Sequence, residues 1–128
     1  MAWCFEGESD AYADSVLHHL GLSQALVPSI WPLEVANVLL VGERRGRLTE
    51  ADSARFITLL KALPITVDEQ TARRAQVEIL ALGREQGLSS YDAAYLELAM
   101  REGCPLATLD TRLQGVAAKL GAPILDGQ

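Results

Sequence analysis

The chain has 128 residues, of which 49% are hydrophobic and 22% charged, and its net charge is −6 at pH 7. A chain of this length and composition fits one domain with a buried core, which we predict over residues 1–128. The negative charge argues against a protein that holds nucleic acid on a broad basic surface. The longest apolar run is interrupted by Glu34 and Asn37, so no membrane span is expected. The first residues lack the pattern of a signal peptide, which predicts a cytoplasmic location.

Helical periodicity and glycine stops predict helices at residues 8–20, 32–45, 50–62, 69–85, 91–102 and 111–120. Short apolar stretches at 25–30, 64–67, 105–109 and 123–125 are typical of buried parallel strands. Thr49, Asp68 and either Ser89 or Ser90 are predicted to cap the helices that come after them. The alternation of buried strands and helices predicts an α/β fold with a mostly parallel sheet and helices on both faces.

Three acidic residues stand where a carboxylate is unexpected. Glu34 interrupts the apolar run at 30–41, Asp92 opens the helix at 91–102, and Asp110 comes directly after the strand at 105–109. An ionised carboxylate in apolar surroundings must be paired, protonated or bound to a metal. Ligands of parallel sheets lie beyond the carboxyl ends of the strands, and Glu34 and Asp110 each come after a predicted strand. If the helix of Asp92 begins at the same edge, the three acids predict a site for Mg²⁺ or Mn²⁺.

Each of these residues also has a purely structural explanation. Glu34 is placed like a solvated acid at a helix start, and Asp92 and Asp110 are placed like N-caps. Asn37, one turn after Glu34, is either a hydrogen-bond partner of the site or a buried amide with its own partners. Thr108 is expected to face the same edge and to hydrogen-bond a water molecule on the metal.

Three separate stretches, at 27–37, 88–99 and 106–110, resemble in order and approximate spacing the motifs of PIN-domain ribonucleases of the VapC kind. These proteins are the toxins of bacterial toxin–antitoxin pairs. The resemblance covers nearly the whole chain and implies a PIN-like three-layer sandwich that hydrolyses RNA as a metal-dependent endoribonuclease. By motif, Glu34, Asp92 and Asp110 carry over as catalytic acids that bind the metal, and Thr108 as a helper.

The resemblance also implies partners. These are an RNA substrate, with transfer RNA among the candidates, and a cognate antitoxin protein that neutralises the nuclease. A homodimer is expected as well. Its predicted surface lies on the helices at 32–45 and 50–62, with ordinary core packing as the alternative, and comprises Val38, Val41, Phe56, Leu59 and Leu60.

In one respect the sequence departs from this family. Such proteins open with a short strand that ends in an aspartate, a further metal ligand, whereas this sequence begins at a segment that resembles the stretch just after that aspartate. We therefore expect an N-terminally shortened domain with weak metal affinity. This keeps open an alternative, a non-catalytic PIN-like module that binds antitoxin or RNA without cutting. A phosphate-accepting α/β regulator is disfavoured, because neither Lys61 nor Lys119 lies at a late strand end.

Overall fold

Two short parallel strands form the sheet in the computed structural model, which describes residues 25–124. Strand β1 (Ala25–Val27) pairs with β2 (Ile65–Val67), so that Ala25 lies opposite Ile65. Parallel neighbours require a crossover connection, which helices α1 (Trp31–Arg44) and α2 (Glu50–Lys61) provide. The predicted α/β fold with parallel pairing is confirmed.

The remaining helices come after β2. They are α3 (Thr71–Arg74), a π-helical segment (Ala75–Ile79), α4 (Leu80–Gln86), α5 (Ser90–Glu102) and α6 (Thr111–Lys119). The helices predicted at 32–45, 50–62, 91–102 and 111–120 are confirmed to within one residue at each end. The single helix predicted at 69–85 is wrong in its middle, where the wider π turn occurs. The helix predicted at 8–20 and the expected N-terminal shortening lie outside the described residues.

The predicted strands are mostly too long. β1 ends at Val27, and the Pro28 carbonyl oxygen accepts a hydrogen bond from the Trp31 N–H, which turns the chain into α1. Within the described residues, which end at 124, the stretches predicted at 105–109 and 123–125 contribute only one parallel bridge, between Leu106 and Ile124. Each of these stretches begins with a proline, and a proline has no N–H to extend a ladder.

The predicted helix caps are confirmed at two of three places. Thr49 and Asp52 form a reciprocal capping box, and the Ser89 hydroxyl oxygen accepts a hydrogen bond from the Asp92 N–H at 3.1 Å. The prediction for Asp68 is wrong, because the residue before α3 is Gln70. The Asp68 carboxylate instead accepts charge-assisted hydrogen bonds from an arginine, which are stronger than a cap.

Helix α5 lies at the centre of the described core. Every residue from 93 to 99 is buried, and Leu96, Leu113 and Val27 belong to the same cluster of buried side chains. A helix that is buried all round takes its position from every neighbour it packs against. Any functional side chain on α5 is therefore held firmly. No helix within residues 25–124 has the length and hydrophobicity to cross a membrane.

Candidate functional site

Glu34 lies in the first turn of α1, where the positive end of the helix favours an acid. Its half-buried side chain accepts a hydrogen bond at Oε1 from the hydroxyl of Tyr95, which lies 61 residues later on α5. Tyr95 is only 5% exposed and belongs to the core cluster. This hydrogen bond ties the first turn of α1 to α5.

Asp92 lies in the first turn of α5, three residues before Tyr95. The N-cap of this helix is Ser89, so the explanation of Asp92 as the cap does not hold. Residues three apart on a helix are neighbours on its surface. The half-buried Asp92 is therefore on the part of α5 that approaches Glu34 through Tyr95.

Asp110 is the N-cap of α6. Its Oδ1 accepts hydrogen bonds from the N–H groups of Arg112 and Leu113, at 2.9 and 3.2 Å. Its own N–H donates to the hydroxyl oxygen of the buried Thr108 at 3.1 Å. The capping explanation is thus correct for Oδ1 of Asp110. The carboxylate is exposed, and its other oxygen takes no part in the cap.

A further contact joins α6 to the start of α5. The Arg112 guanidinium donates a hydrogen bond to the carbonyl oxygen of Gly87, in the turn that precedes Ser89. This bond links α6, which Asp110 caps, to the turn before α5, and the bond between Tyr95 and Glu34 links α5 to the first turn of α1.

The two predicted helper residues differ in their surroundings. Thr108 is buried, and its carbonyl oxygen also accepts a hydrogen bond from Gln114 Nε2 at 2.7 Å, so it fixes the backbone that leads into Asp110. Asn37 is exposed on α1. The roles of Thr108 towards a metal-bound water and of Asn37 beside Glu34 stay predictions.

As the side chains stand, residues 25–124 contain no group of three or more His, Cys, Asp or Glu residues close enough to hold one metal ion. The donor set nevertheless fits Mg²⁺ or Mn²⁺ in its chemistry, because carboxylate oxygens are the ligands that these hard cations prefer. Glu34, Asp92 and Asp110 therefore remain the predicted ligands.

A partly buried network of charges, which the sequence analysis does not predict, lies beside this region. Arg101 contacts Asp68 at 2.8 Å and Glu97 at 3.1 Å, and Arg74 contacts Glu97 at 2.7 Å. The Asp68 N–H also donates to the carbonyl oxygen of Val27 at 2.7 Å, so the network lies at the carboxyl ends of both strands. The sequence held one sign of it: Glu97 and Arg101 are four residues apart on a helix that is otherwise apolar there.

These contacts shift the ionisation of the groups involved. The hydrogen bonds from Arg101, and after them the one from the Thr71 hydroxyl, hold the pKa of Asp68 below its ordinary value. In turn, the hydrogen bonds to Asp68, and then those to Glu97, raise the pKa of Arg101. Both shifts favour the charged forms of Asp68 and Arg101.

Comparison with known proteins gives two findings. The PIN domain family matches residues 1–119 of the chain. The chain is also 37% identical over 84 residues to Ribonuclease VapC3 of Pyrobaculum aerophilum, an alignment that covers 62% of this chain. It spans 61% of the length of that curated relative.

Proposed function

Because this chain belongs to the PIN domain family, we propose that it is an endoribonuclease that hydrolyses RNA phosphodiester bonds with the help of Mg²⁺ or Mn²⁺. The similarity to a protein named a ribonuclease supports this proposal, and the α/β fold with parallel strands agrees with a PIN-like domain. The observation that carries it is the family match over residues 1–119, which spans Glu34, Asp92 and Asp110, three acids at the N-terminal ends of α1, α5 and α6.

In this proposal Glu34, Asp92 and Asp110 hold the cation, and a bound Mg²⁺ supplies an activated water and neutralises charge on the phosphate. Ser89 takes the capping role at α5, which leaves the Asp92 carboxylate available as a ligand. Thr108 holds the backbone of Asp110 in place. The positive ends of the helices favour the carboxylates and would favour an RNA phosphate bound beside them.

The test is cleavage of a panel of RNAs, including transfer RNAs, with Mn²⁺ or Mg²⁺ and with a chelator. Asp92→Asn is expected to lower the cleavage rate by at least about 100-fold, equivalent to about 2.7 kcal/mol at the transition state. Glu50→Gln is the matched control, because it removes an exposed acid from the first turn of another helix, α2. Cleavage that persists in chelator, or in the Asp92 variant, would refute the proposal.

A second candidate is a non-catalytic PIN-like module that binds antitoxin or RNA without cutting. It is favoured by one observation, the lack within residues 25–124 of a group of side chains already gathered to hold a metal ion. Retention of RNA on a filter by the purified chain, with no cleavage of any RNA in the panel, would select this candidate.

The proposed partners are those that the same function requires. An antitoxin protein would abolish cleavage when added in equal amount, and the cytoplasm is the proposed location because RNA and antitoxin are found there.

A homodimer is also proposed. Of its predicted surface, Leu59 is 67% exposed, whereas Leu60 is only 8% exposed and belongs to the core, so that part of the prediction is wrong. Leu59→Ser should therefore lower the dimer fraction in light scattering, and an unchanged fraction would exclude Leu59 from the interface.

A further inference from the structure

We infer that Tyr95 is a positioning residue for Glu34: its hydroxyl holds Oε1 of the carboxylate and leaves Oε2 for the cation. This inference rests on the proposed function, because it concerns the metal that the nuclease would use. It adds to the predicted ligands a residue that would act only through Glu34.

The position of the Tyr95 hydroxyl is set by the core. The ring is 5% exposed and packs in the same cluster as Val27, Trp31 and Leu96. A tyrosine ring held in this way has little rotational freedom, so its hydroxyl is a donor at a fixed place. The Glu34 side chain, by contrast, is flexible and only half-buried, and its hydrogen bond to Tyr95 restricts its conformation.

The Glu34 carboxylate can bridge the Tyr95 hydroxyl and a cation. A phenol O–H can donate a hydrogen bond, whereas an ionised carboxylate only accepts and does so at both oxygens. One oxygen can therefore accept from Tyr95 while the other binds a cation. Hydrogen bonds of this kind orient metal ligands, and their loss typically lowers metal affinity by about 10- to 100-fold.

Tyr95 also couples two of the predicted ligands. It lies on α5 three residues after Asp92, on a helix buried from residue 93 to residue 99. The hydrogen bond from Tyr95 therefore links Glu34 directly to the helix that carries Asp92. A Glu34 side chain released from Tyr95 would have to be ordered by the cation itself, at a cost in affinity.

The experiment measures Mn²⁺ affinity by electron paramagnetic resonance of the free ion, without RNA. Tyr95→Phe keeps the ring and removes the donor, and we expect it to weaken Mn²⁺ binding by about 10- to 100-fold. Tyr91→Phe is the matched control, because it is the same change on the same helix at a position that is 56% exposed, and it should leave the affinity unchanged. In a Glu34→Gln background, Tyr95→Phe should have no further effect.

A pair of ring substituents keeps the test informative if the Phe variant fails to fold. At position 95, 4-aminophenylalanine keeps a donor and 4-fluorophenylalanine fills similar space without one. We expect the amino group to restore most of the affinity and the fluoro group to restore none. A purely structural role would make both behave alike.

The outcomes separate the inference from the proposed function. If the unchanged chain binds no Mn²⁺, both metal dependence and the role of Tyr95 are wrong. If it binds Mn²⁺ and Tyr95→Phe binds equally well, the inference alone fails and the nuclease proposal stands. Equal losses in the native and Glu34→Gln backgrounds would also overturn it, because the effect would then not act through Glu34.

Discussion

Arg101 and Asp68 face each other through two side-by-side hydrogen bonds, with Nη2 donating to Oδ2 at 2.8 Å and Nη1 donating to Oδ1 at 3.3 Å. Both side chains are largely buried, at 14% and 10% exposure. Such paired contacts fix orientation as well as distance. They anchor the C-terminal half of α5 to the end of β2, while Tyr95 anchors its first half to α1.

Removing the arginine should reveal how much this anchor contributes. Arg101→Met leaves the largely buried Asp68 without its cation and leaves Glu97 with Arg74 alone, so the free energy of unfolding is expected to fall by about 3 kcal/mol. Urea unfolding measures it, with Arg73→Met as the control at an exposed arginine, where a change within about 0.5 kcal/mol is expected. A loss below about 1 kcal/mol for Arg101→Met would mean that water replaces the guanidinium at little cost.

The same pair predicts a dependence of stability on pH. The pKa of Asp68 is lowered in the folded chain, chiefly by Arg101. A group of this kind stabilises the fold above its unfolded pKa, about 3.9, and the contribution is lost as the pH falls through the lower folded pKa. The free energy of unfolding should therefore decline below about pH 5. Asp68→Asn should make that decline shallower in urea titrations, and identical slopes for the two chains would contradict the assignment.

The capping and proposed catalytic roles of Asp110 can be separated by two substitutions. Asparagine caps a helix about as well as aspartate, so Asp110→Asn should keep the stability of the native chain. Asp110→Ala loses both hydrogen bonds to Oδ1 and should lower the free energy of unfolding by about 1 kcal/mol. Both variants should lose RNA cleavage, because both lack the charge. If Asp110→Asn cuts RNA at the native rate, Asp110 serves only as a cap.

Much of the local structure could be predicted from the sequence, because helix ends are determined by nearby residues. The capping box of Thr49 and Asp52 is contained within four positions, and Gly87 and Gly103 end their helices with positive φ of 66°. The strand at 105–109 could not be predicted in the same way, because ladder length depends on a partner at 124, far along the chain.

The residues of the candidate site also differ in whether nearby sequence could predict them. Glu34 and Asp110 could be singled out because each interrupts or ends an apolar run nearby. Tyr95 and Arg101 could not, since their partners Glu34 and Asp68 are 61 and 33 residues away. In the sequence, Tyr95 looks like an ordinary core residue of a buried helix, because the sequence does not show the partner of its hydroxyl.

Three glycines allow a matched test of backbone strain. Gly87 and Gly103 both have a φ of 66°, a region where alanine is strained, so Gly87→Ala and Gly103→Ala should each lose about 1–2 kcal/mol of stability. Gly115 lies inside α6, where an added Cβ would meet no neighbouring atom within 4 Å, so Gly115→Ala should gain about 0.5–1 kcal/mol. Thermal unfolding compares the three, and a stabilised Gly103→Ala would refute the strain argument.

Because of the π-helical segment at Ala75–Ile79, the number of residues between β2 and α5 determines which side of α4 packs against α5. A π turn holds one residue more than an α turn, and each residue of an α-helix turns the chain by about 100°. If one residue were deleted here, an uninterrupted α-helix would form and α4 would point a different side at α5. Gly83, where an added Cβ would lie 3.7 Å from the Ala93 Cβ of α5, would no longer face that helix. A surface loop tolerates a change of one residue in its length. At this segment the same change would rotate the helix that follows about its own axis.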